Sequence, residues 1–246
     1  MKIQEQEWNG YRQLDFEFEG RNAILVVPNQ ATEGNPWLYK TEYFGAFPDF
    51  ELAMLKRGWF LANLETKSRW VIEDDNEVKP RFCDFLQKEF GLANKCLPVG
   101  MSCGGMHAVY FAAAYPDYVS ALYLDAPVLN LLSCPAGVGK GNGQLFEEYY
   151  QITGKSISEL INFRNHPIDH TDELLKANIP IFLVCGDSDE TVPYCENGEV
   201  LSKRYREAGG IIEEVVKHGC DHHPHSLTDC TPIIEFAEHY GRTKNE

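Results

Sequence analysis

The sequence predicts an α/β fold: a mostly parallel sheet of eight strands that starts with an antiparallel hairpin, has helices on both faces and carries a small cap insertion. Two observations support this class. Short, continuous apolar runs recur along the chain, as expected of strands that are covered on both faces. Helical segments alternate with these runs, which favours parallel strands joined by right-handed crossovers. With 246 residues, the chain is expected to form one domain, 1–246.

The first three strands follow from local patterns. Trp8-Asn9-Gly10-Tyr11 contains the Asn-Gly pair that favours a two-residue hairpin turn. Leu14, Phe16 and Phe18 then alternate with acidic residues, as is typical of a half-buried antiparallel strand. The segment 23–27 is continuously apolar, and it marks the change to strands that are covered on both faces.

The remaining elements alternate along the chain. Five further strands are predicted at 59–64, 96–99, 121–124, 179–185 and 211–216. Helices are predicted at 46–57, 74–92, 103–115, 197–208 and 232–243. One segment, 128–178, breaks the alternation and is interpreted as the cap, since a connection of about 50 residues without strands is unusually long. Its glycine run, 137–143, fits neither common phosphate-binding pattern.

Composition excludes several classes of partner. The net charge of −15 argues against nucleic acid and against anionic membrane surfaces. No apolar run reaches 18 residues, so no membrane span is expected. The first residues lack the apolar segment of a secretory signal, and the eight cysteines form no C-x-x-C pair. We therefore expect a cytoplasmic protein with reduced thiols; the sequence does not indicate its oligomeric state.

The most specific motif is Gly100-Met101-Ser102-Cys103-Gly104, which matches G-x-S-x-G and is followed by Gly105. It lies between a predicted strand and a predicted helix, which is the context of a nucleophile elbow. The sharp turn exposes the serine hydroxyl above the sheet, and glycines are needed beside it because strand and helix pass close to each other. The motif predicts Ser102 as a nucleophile and the N–H of Cys103 as a donor to an oxyanion.

A serine nucleophile needs a base and an acid that orients the base. Candidates follow the next predicted strands, at the edge where catalytic groups of open α/β sheets lie. The turn 186–193 reads Gly-Asp-Ser-Asp-Glu-Thr-Val-Pro, and the segment 218–225 reads His-Gly-Cys-Asp-His-His-Pro-His. From the residues alone, three carboxylates are candidates for the acid: Asp189, Asp187 and Asp125.

Together these motifs resemble the α/β-hydrolase superfamily, in its single-domain, esterase- and lipase-like branch. The resemblance covers roughly residues 8–242 and rests on the elbow, the acid turn and the terminal D-H-H-P-H-S-L-T-D-C-T-P-I-I-E-F, in the order Ser, Asp, His. It implies that Asp189, three residues before Val-Pro, is the acid and that His222 is the base. It also implies a cytoplasmic serine hydrolase that needs no cofactor and cleaves small-molecule carboxylic esters through an acyl-enzyme.

The second oxyanion donor is expected in the loop after strand 23–27. The chain reads Pro28-Asn29-Gln30-Ala31 there, in place of the common His-Gly pattern, and position favours the Gln30 N–H. Aromatic residues farther along either pack in the core or form a wall of the substrate pocket: Trp37, Tyr39, Tyr43 and Phe44. In the cap, the pair Tyr149-Tyr150 is expected to form a wall over the cleft.

Three other interpretations remain. The doubled glycine after Cys103 also resembles prolyl-oligopeptidase-type elbows, which implies an aminopeptidase-like or amidase activity; such enzymes usually carry a gating domain, for which this length leaves no room. A catalytically silent ligand receptor is the alternative from another class, although an intact nucleophile, acid and base argue against it. A metal site is the third, and its spacing matches no standard zinc pattern. Its ligands would be His218, Cys220, His222 and His225.

Overall fold

The computed structural model describes residues 2–242, which form nine strands and eight α-helices. The strands are β1 (Gln4–Trp8), β2 (Tyr11–Phe18), β3 (Arg21–Val27), β4 (Trp37–Lys40), β5 (Phe60–Leu64), β6 (Leu97–Met101), β7 (Leu122–Asp125), β8 (Ile181–Gly186) and β9 (Ile212–Lys217). The helices are α1 (Asp49–Lys56), α2 (Val78–Phe90), α3 (Cys103–Ala114), α4 (Phe146–Thr153), α5 (Ile157–Asn162), α6 (Thr171–Lys176), α7 (Gly198–Glu207) and α8 (Thr231–Tyr240).

The nine strands form one sheet in the order β1-β2-β3-β5-β4-β6-β7-β8-β9. The contacts β1–β2, β2–β3 and β3–β5 are antiparallel, and all others are parallel. The predicted class is therefore confirmed, and so is the hairpin, in which Trp8 pairs with Tyr11. Asn9 and Gly10 form its turn with φ angles of 50° and 82°, as a type I′ turn requires.

The predicted count of eight strands was wrong, because β4 is an additional strand between β5 and β6. It has only four residues, all buried, and its last residue is a lysine. A buried charge is unusual in a central strand, but here the Lys40 Nζ lies 2.5 Å from Glu51 Oε1 of α1. Because the sequence does not predict β4, it places Trp37 and Tyr39 of this strand in a loop.

Helices cover both faces of the sheet, as predicted. On one face, α2, α3, α6 and α7 contribute Phe82, Leu86, Phe111, Leu174 and Leu201 to the core. On the other face, α1 and α8 contribute Phe50, Met54, Ile233 and Phe236. Residue 243, the end of the last predicted helix, lies outside the described residues. Across residues 2–242, the structure contains no helix of sufficient length and apolar character to cross a membrane.

The segment between β7 and β8 carries three short helices, α4 to α6. A third cluster of buried apolar side chains joins this segment to the start of α3, and it contains Cys103, Met106, Leu131, Tyr149 and Leu160. The segment predicted as a cap therefore packs beside the elbow, at the edge of the sheet where β6, β7, β8 and β9 end.

Candidate active site

Ser102 occupies the turn between β6 and α3 in a strained conformation, with φ 52° and ψ −120°. Such angles are costly for a residue other than glycine, so the surrounding structure must hold them. The Ser102 N–H donates to the carbonyl of Asp125 at 2.9 Å, and the Ser102 carbonyl accepts from the N–H of Val128 at 3.0 Å. The end of β7 therefore fixes the turn from the side.

Two glycines beside Ser102 are required by close backbone approach. A Cβ on Gly100 would lie 2.6 Å from the carbonyl oxygen of Gly104, and a Cβ on Gly105 would lie 2.4 Å from the Cβ of Pro127. A Cβ on Gly104 would lie 3.2 Å from its nearest neighbours, the side chains of Glu42 and Thr41. Side chains at the first two positions would thus push β6, α3 and β7 apart.

Replacing Gly105 with alanine is expected to lower the free energy of unfolding by roughly 1–3 kcal/mol, because the added methyl group overpacks the contact with Pro127. Gly104→Ala is the matched control and should lower the free energy of unfolding clearly less, since the atoms nearest to its added methyl group are side-chain atoms. Urea unfolding of both variants measures the difference. Equal stability of Gly105→Ala and the parent protein would contradict the close approach.

The structure brings together the three residues predicted as nucleophile, base and acid. His222 Nε2 lies 3.1 Å from Ser102 Oγ, and His222 Nδ1 lies 2.7 Å from Asp189 Oδ2. The other carboxylate oxygen of Asp189 accepts the N–H groups of Thr191 at 2.8 Å and Val192 at 2.7 Å. Asp189 therefore presents a single oriented oxygen to the imidazole. This leaves His222 Nε2 to accept the serine proton.

The other two candidate acids have different partners. Asp187 lies at the surface and accepts from His218 Nδ1 at 2.8 Å and from the Gly219 N–H at 2.7 Å. The hydrogen bond from His218 lowers the pKa of Asp187. Asp125 is buried against His225 Nδ1 at 2.7 Å. Burial raises the pKa of Asp125, but the hydrogen bond and charge of His225 outweigh it, so that this pKa lies below its ordinary value.

Cys103 follows the nucleophile and begins α3. A first helical residue has no intrahelical acceptor for its N–H, so this donor is left free by α3, and its role in an oxyanion hole stays a prediction. The thiol of the same residue is fully buried, and burial raises its pKa to about 11. At neutral pH the thiol stays protonated, so it does not compete with Ser102 as a nucleophile.

The structure contradicts Gln30 as the second oxyanion donor. β3 runs antiparallel to β5, with Val26 opposite Leu61, so the loop after β3 emerges where β5 begins. There the Thr32 N–H donates to the Gly58 carbonyl at 3.1 Å. Gln30 is exposed at this edge, opposite the edge that carries Ser102. The prediction failed because β4 was missed: the loop that faces Ser102 follows β4.

A cavity of about 500 Å³ opens beside Ser102. Besides the nucleophile and base, it is lined by residues from the loops after β4, β5 and β9, from the acid turn and from the cap. Its other lining residues are Tyr43, Ala46, Phe47, Arg69, Met101, Leu145, Thr191, Asp221, His223 and His225. Tyr43 lies in the loop after β4 with φ 56°. It is one of the four aromatic residues that the sequence allows either in the core or in the pocket wall, and it lines the cavity.

Two residues predicted to bind substrate lie elsewhere. Trp37 is 1% exposed, and its indole N–H donates to the Ala93 carbonyl at 2.9 Å, so it packs in the core. Tyr149 is 2% exposed and meets Trp70 edge to face at 5.2 Å. It lines a separate cavity of about 580 Å³. The cap residue that reaches the cavity beside Ser102 is Leu145, four positions earlier in the chain.

Arg69 was missed by sequence analysis because it lies in a segment without a motif or hydrophobic pattern. Its guanidinium donates to both carboxylate oxygens of Glu148 in α4, with Nε 2.7 Å from Oε1. This pair connects the loop after β5 to the cap at the cavity wall. The charge of Arg69 is thereby largely neutralised, whereas Asp221 presents an exposed carboxylate whose Oδ1 accepts the His222 N–H at 2.7 Å.

Solved structures share this fold at low sequence identity. Acylaminoacyl peptidase in complex with Z-Gly-Gly-Phe-chloromethyl ketone is 16% identical, with a TM-score of 0.74 over 96% of this chain and 42% of its own. Acylaminoacyl peptidase of Pyrococcus horikoshii is 13% identical, with a TM-score of 0.73 over 100% of this chain and 43% of its own. S-formylglutathione hydrolase of Agrobacterium tumefaciens is 13% identical, with a TM-score of 0.67 over 91% of this chain and 93% of its own. The chain thus spans less than half the length of these peptidases.

Sequence comparison identifies the family. No curated protein sequence matches the chain significantly. The sequence profile of the prolyl oligopeptidase family, Peptidase_S9, matches residues 82–240, from α2 through the elbow, the acid turn and the histidine loop to α8. Because this match covers well over half of the chain, the protein belongs to the prolyl oligopeptidase family of serine hydrolases, within the α/β-hydrolase superfamily.

Proposed function

We propose that this protein hydrolyses small carboxylic esters through an acyl-enzyme, with Ser102, His222 and Asp189 as its catalytic residues. The observation that carries the proposal is the continuous hydrogen-bonded chain from Ser102 Oγ through both nitrogens of His222 to Asp189. This arrangement, at the mouth of a cavity, is what activation of a serine hydroxyl requires. It also argues against a catalytically silent receptor, which has no need of a buried, oriented base.

In the proposed mechanism, Ser102 Oγ attacks the ester carbonyl while His222 Nε2 takes the hydroxyl proton. Asp189 holds the imidazole with its proton on Nδ1 and stabilises the imidazolium. The Cys103 N–H binds the oxyanion, and we assign the second donor to the loop after β4, at the Tyr43 N–H, whose present contact with Glu42 Oε1 is long, at 3.4 Å. His222 then returns the proton to the leaving alcohol. Water, activated by the same imidazole, finally releases the acid from the acyl-enzyme.

The walls of the cavity favour an uncharged acyl group. Arg69, the cationic lining residue with a permanent charge, is already paired with Glu148. The surfaces of Tyr43, Phe47 and Leu145 are aromatic or aliphatic. This apolar part of the wall can bind the hydrocarbon part of a substrate, and the groups at Ser102 then set the position of its carbonyl.

Asp221 supports a second candidate function, cleavage of amides next to a free amino group. Its carboxylate lines the cavity and is exposed, so it could bind an ammonium group of the substrate. The name of the matched family and the solved peptidases are compatible with this activity. In this candidate the catalytic residues keep their roles, and the leaving group is an amine.

A substrate panel distinguishes the two candidates. We expect p-nitrophenyl esters of two to eight carbons to be cleaved with kcat/KM well above that for aminoacyl p-nitroanilides. Asp221→Asn is the informative variant: it should leave ester cleavage nearly unchanged and lower only the cleavage of substrates with a free amino group. Faster cleavage of aminoacyl anilides than of every ester would reject the ester assignment in favour of the second candidate.

The cap, 128–178, is proposed to set acyl selectivity through Leu145. Shortening this side chain opens the cavity wall, so Leu145→Ala should shift the preference between short and long acyl esters by roughly ten-fold toward long ones. Tyr150→Ala is the control, because Tyr150 is 47% exposed on the adjacent helix. Labelling of Ser102 by a fluorophosphonate should persist in both variants. Loss of labelling in a folded Leu145→Ala protein would mean that the cap builds the catalytic site itself.

We further propose that this chain forms one hydrolase domain and that the protein acts in the cytoplasm. All eight cysteines are free thiols, and five of them are buried. Buried thiols of this kind behave as small apolar groups, and unpaired thiols are typical of a reducing compartment. Measurement of eight reactive thiols in the denatured protein purified from its native cells would support this location.

A further inference from the structure

Three histidines of the loop after β9 form a compact triangle beside the nucleophile. The ring centres of His222, His223 and His225 are 4.9 Å apart in all three pairs. One ring nitrogen from each residue lies within 4.8 Å of the other two. All three side chains line the cavity that contains Ser102. Only His222 has a role in the proposed mechanism.

The triangle has the dimensions of a metal site with three imidazole ligands. A transition-metal ion lies about 2.0–2.1 Å from an imidazole nitrogen and hence about 3.2 Å from the ring centre. Two rings on one ion are then roughly 4.5 Å apart at right angles and roughly 5.2 Å apart in tetrahedral geometry. The observed separation of 4.9 Å falls between these values. The three nitrogens lie within 4.8 Å of one another, so side-chain rotation must bring them closer together to share one ion.

The surroundings of two rings are also those of metal ligands. A ligating histidine usually donates its other N–H to a carboxylate, which fixes the orientation of the ring. His222 Nδ1 lies 2.7 Å from Asp189, and His225 Nδ1 lies 2.7 Å from Asp125. Both carboxylates are buried. The nitrogen that remains for an ion in each of these rings is therefore Nε2.

His223 supplies the third and most accessible ligand. It is exposed, and within residues 2–242 its ring nitrogens make no hydrogen bond. The ring stacks on Phe47 at 5.6 Å with an interplanar angle of 15°, which limits its orientations. In contrast, the side chain of His218 is 89% exposed and pairs with Asp187. His218, a ligand candidate from the sequence, is therefore not part of the triangle.

We propose that His222, His223 and His225 bind a divalent transition-metal ion of the zinc class, and that this ion inhibits the enzyme reversibly. The ion would occupy His222 Nε2, the nitrogen that accepts the proton of Ser102. With this nitrogen coordinated, the serine has no base. Imidazole ligands select zinc, copper, nickel and cobalt over magnesium and calcium. Binding depends only on the triangle, whereas inhibition rests on the hydrolase function proposed above.

Binding is tested first, without reference to catalysis. Chelator-treated Ser102→Ala protein is titrated with Co²⁺, and we expect one equivalent to bind with the visible absorption bands of nitrogen-ligated cobalt. The expected dissociation constant is in the micromolar range. His223→Ala, introduced into the same protein, should weaken binding at least ten-fold. His225→Gln, which removes a second ligand, should weaken binding as well. His218→Ala and Cys220→Ser are the matched controls from the same loop, and both should bind as the parent does.

Inhibition is tested next on the protein with its serine intact. Micromolar Zn²⁺ should block both ester hydrolysis and fluorophosphonate labelling, and EDTA should restore both. Each variant is compared with its own metal-free rate, and His223→Ala should need at least ten-fold more Zn²⁺ for half inhibition. Mg²⁺ at the same concentration should have no effect.

The outcomes separate the two proposals. Cobalt binding that is lost in His223→Ala, in a protein that cleaves no ester, would support the metal site and reject the proposed ester hydrolysis. Absence of binding, or equal binding by the parent and His223→Ala, would overturn the metal site whatever the activity. Activity that disappears with EDTA and returns with Zn²⁺ would overturn the inhibitory role.

Discussion

Replacing Ser102 with alanine is expected to abolish labelling by a fluorophosphonate and to lower kcat by roughly 10⁴-fold or more. The hydroxyl is the group that forms the acyl-enzyme, and within residues 2–242 its hydrogen-bond partner is His222. Without it, the remaining donors can still bind a substrate carbonyl, but no nucleophile is in place. Burst kinetics with a p-nitrophenyl ester, together with the labelling assay, measure the loss.

The same variant should unfold at nearly the parent temperature, because the serine hydroxyl that is removed makes one hydrogen bond and occupies little volume. Ser188→Ala is the matched control: Ser188 lies in the acid turn at the same edge of the sheet, and among the described residues its hydroxyl bonds only to Asp187. It should retain labelling and turnover. Near-normal turnover in folded Ser102→Ala would rule out this serine as the nucleophile.

Asp189→Asn is expected to lower kcat by roughly 10³- to 10⁴-fold with little change in KM. The amide oxygen should keep the position of Oδ1, which accepts two backbone N–H groups. The amide nitrogen then faces His222 Nδ1 and must donate to it. This forces the ring proton onto Nε2, where it prevents the imidazole from accepting the serine proton. Circular dichroism and steady-state kinetics on the same preparation test this.

The two other carboxylates provide controls for this experiment. Asp187→Asn should lower kcat only slightly, since Asp187 pairs with the exposed His218 at the surface. Asp125→Asn should mainly reduce the free energy of unfolding, by about 1–3 kcal/mol, because it weakens buried hydrogen bonds to His225 and Ser226. If Asp125→Asn abolishes turnover in folded protein while Asp189→Asn does not, the acid lies at the end of β7 and the assignment to the acid turn is wrong.

Local patterns were sufficient for the features that depend on a few consecutive residues. The hairpin turn was predictable because Asn9 and Gly10 must adopt positive φ angles. The elbow was predictable because Ser102 needs glycines around it, and the structure shows backbone contacts that exclude a Cβ at Gly100 and Gly105. In both cases the chemical requirement acts within the turn itself, so it is visible in the sequence.

Other features depend on the order of strands in the sheet, and sequence analysis missed them. β4 escaped detection because it is short and ends in Lys40, whose charge is tolerated only because Glu51 lies beside it in the folded protein. Once β4 was missed, the oxyanion loop was placed after β3. The antiparallel direction of β3 takes Gln30 to the opposite edge of the sheet.

The sequence by itself determined the fold class, the elbow and the candidates for base and acid, because each follows from a local pattern at the end of a predicted strand. Only the tertiary structure decided which carboxylate meets His222, since Asp125, Asp187 and Asp189 all lie at or just after the end of a strand and all pair with a histidine. It also decided which side chains line the cavity and which histidines form a triangle. These are contacts between segments far apart in the chain, and their geometry is set by the order and direction of strands in the sheet.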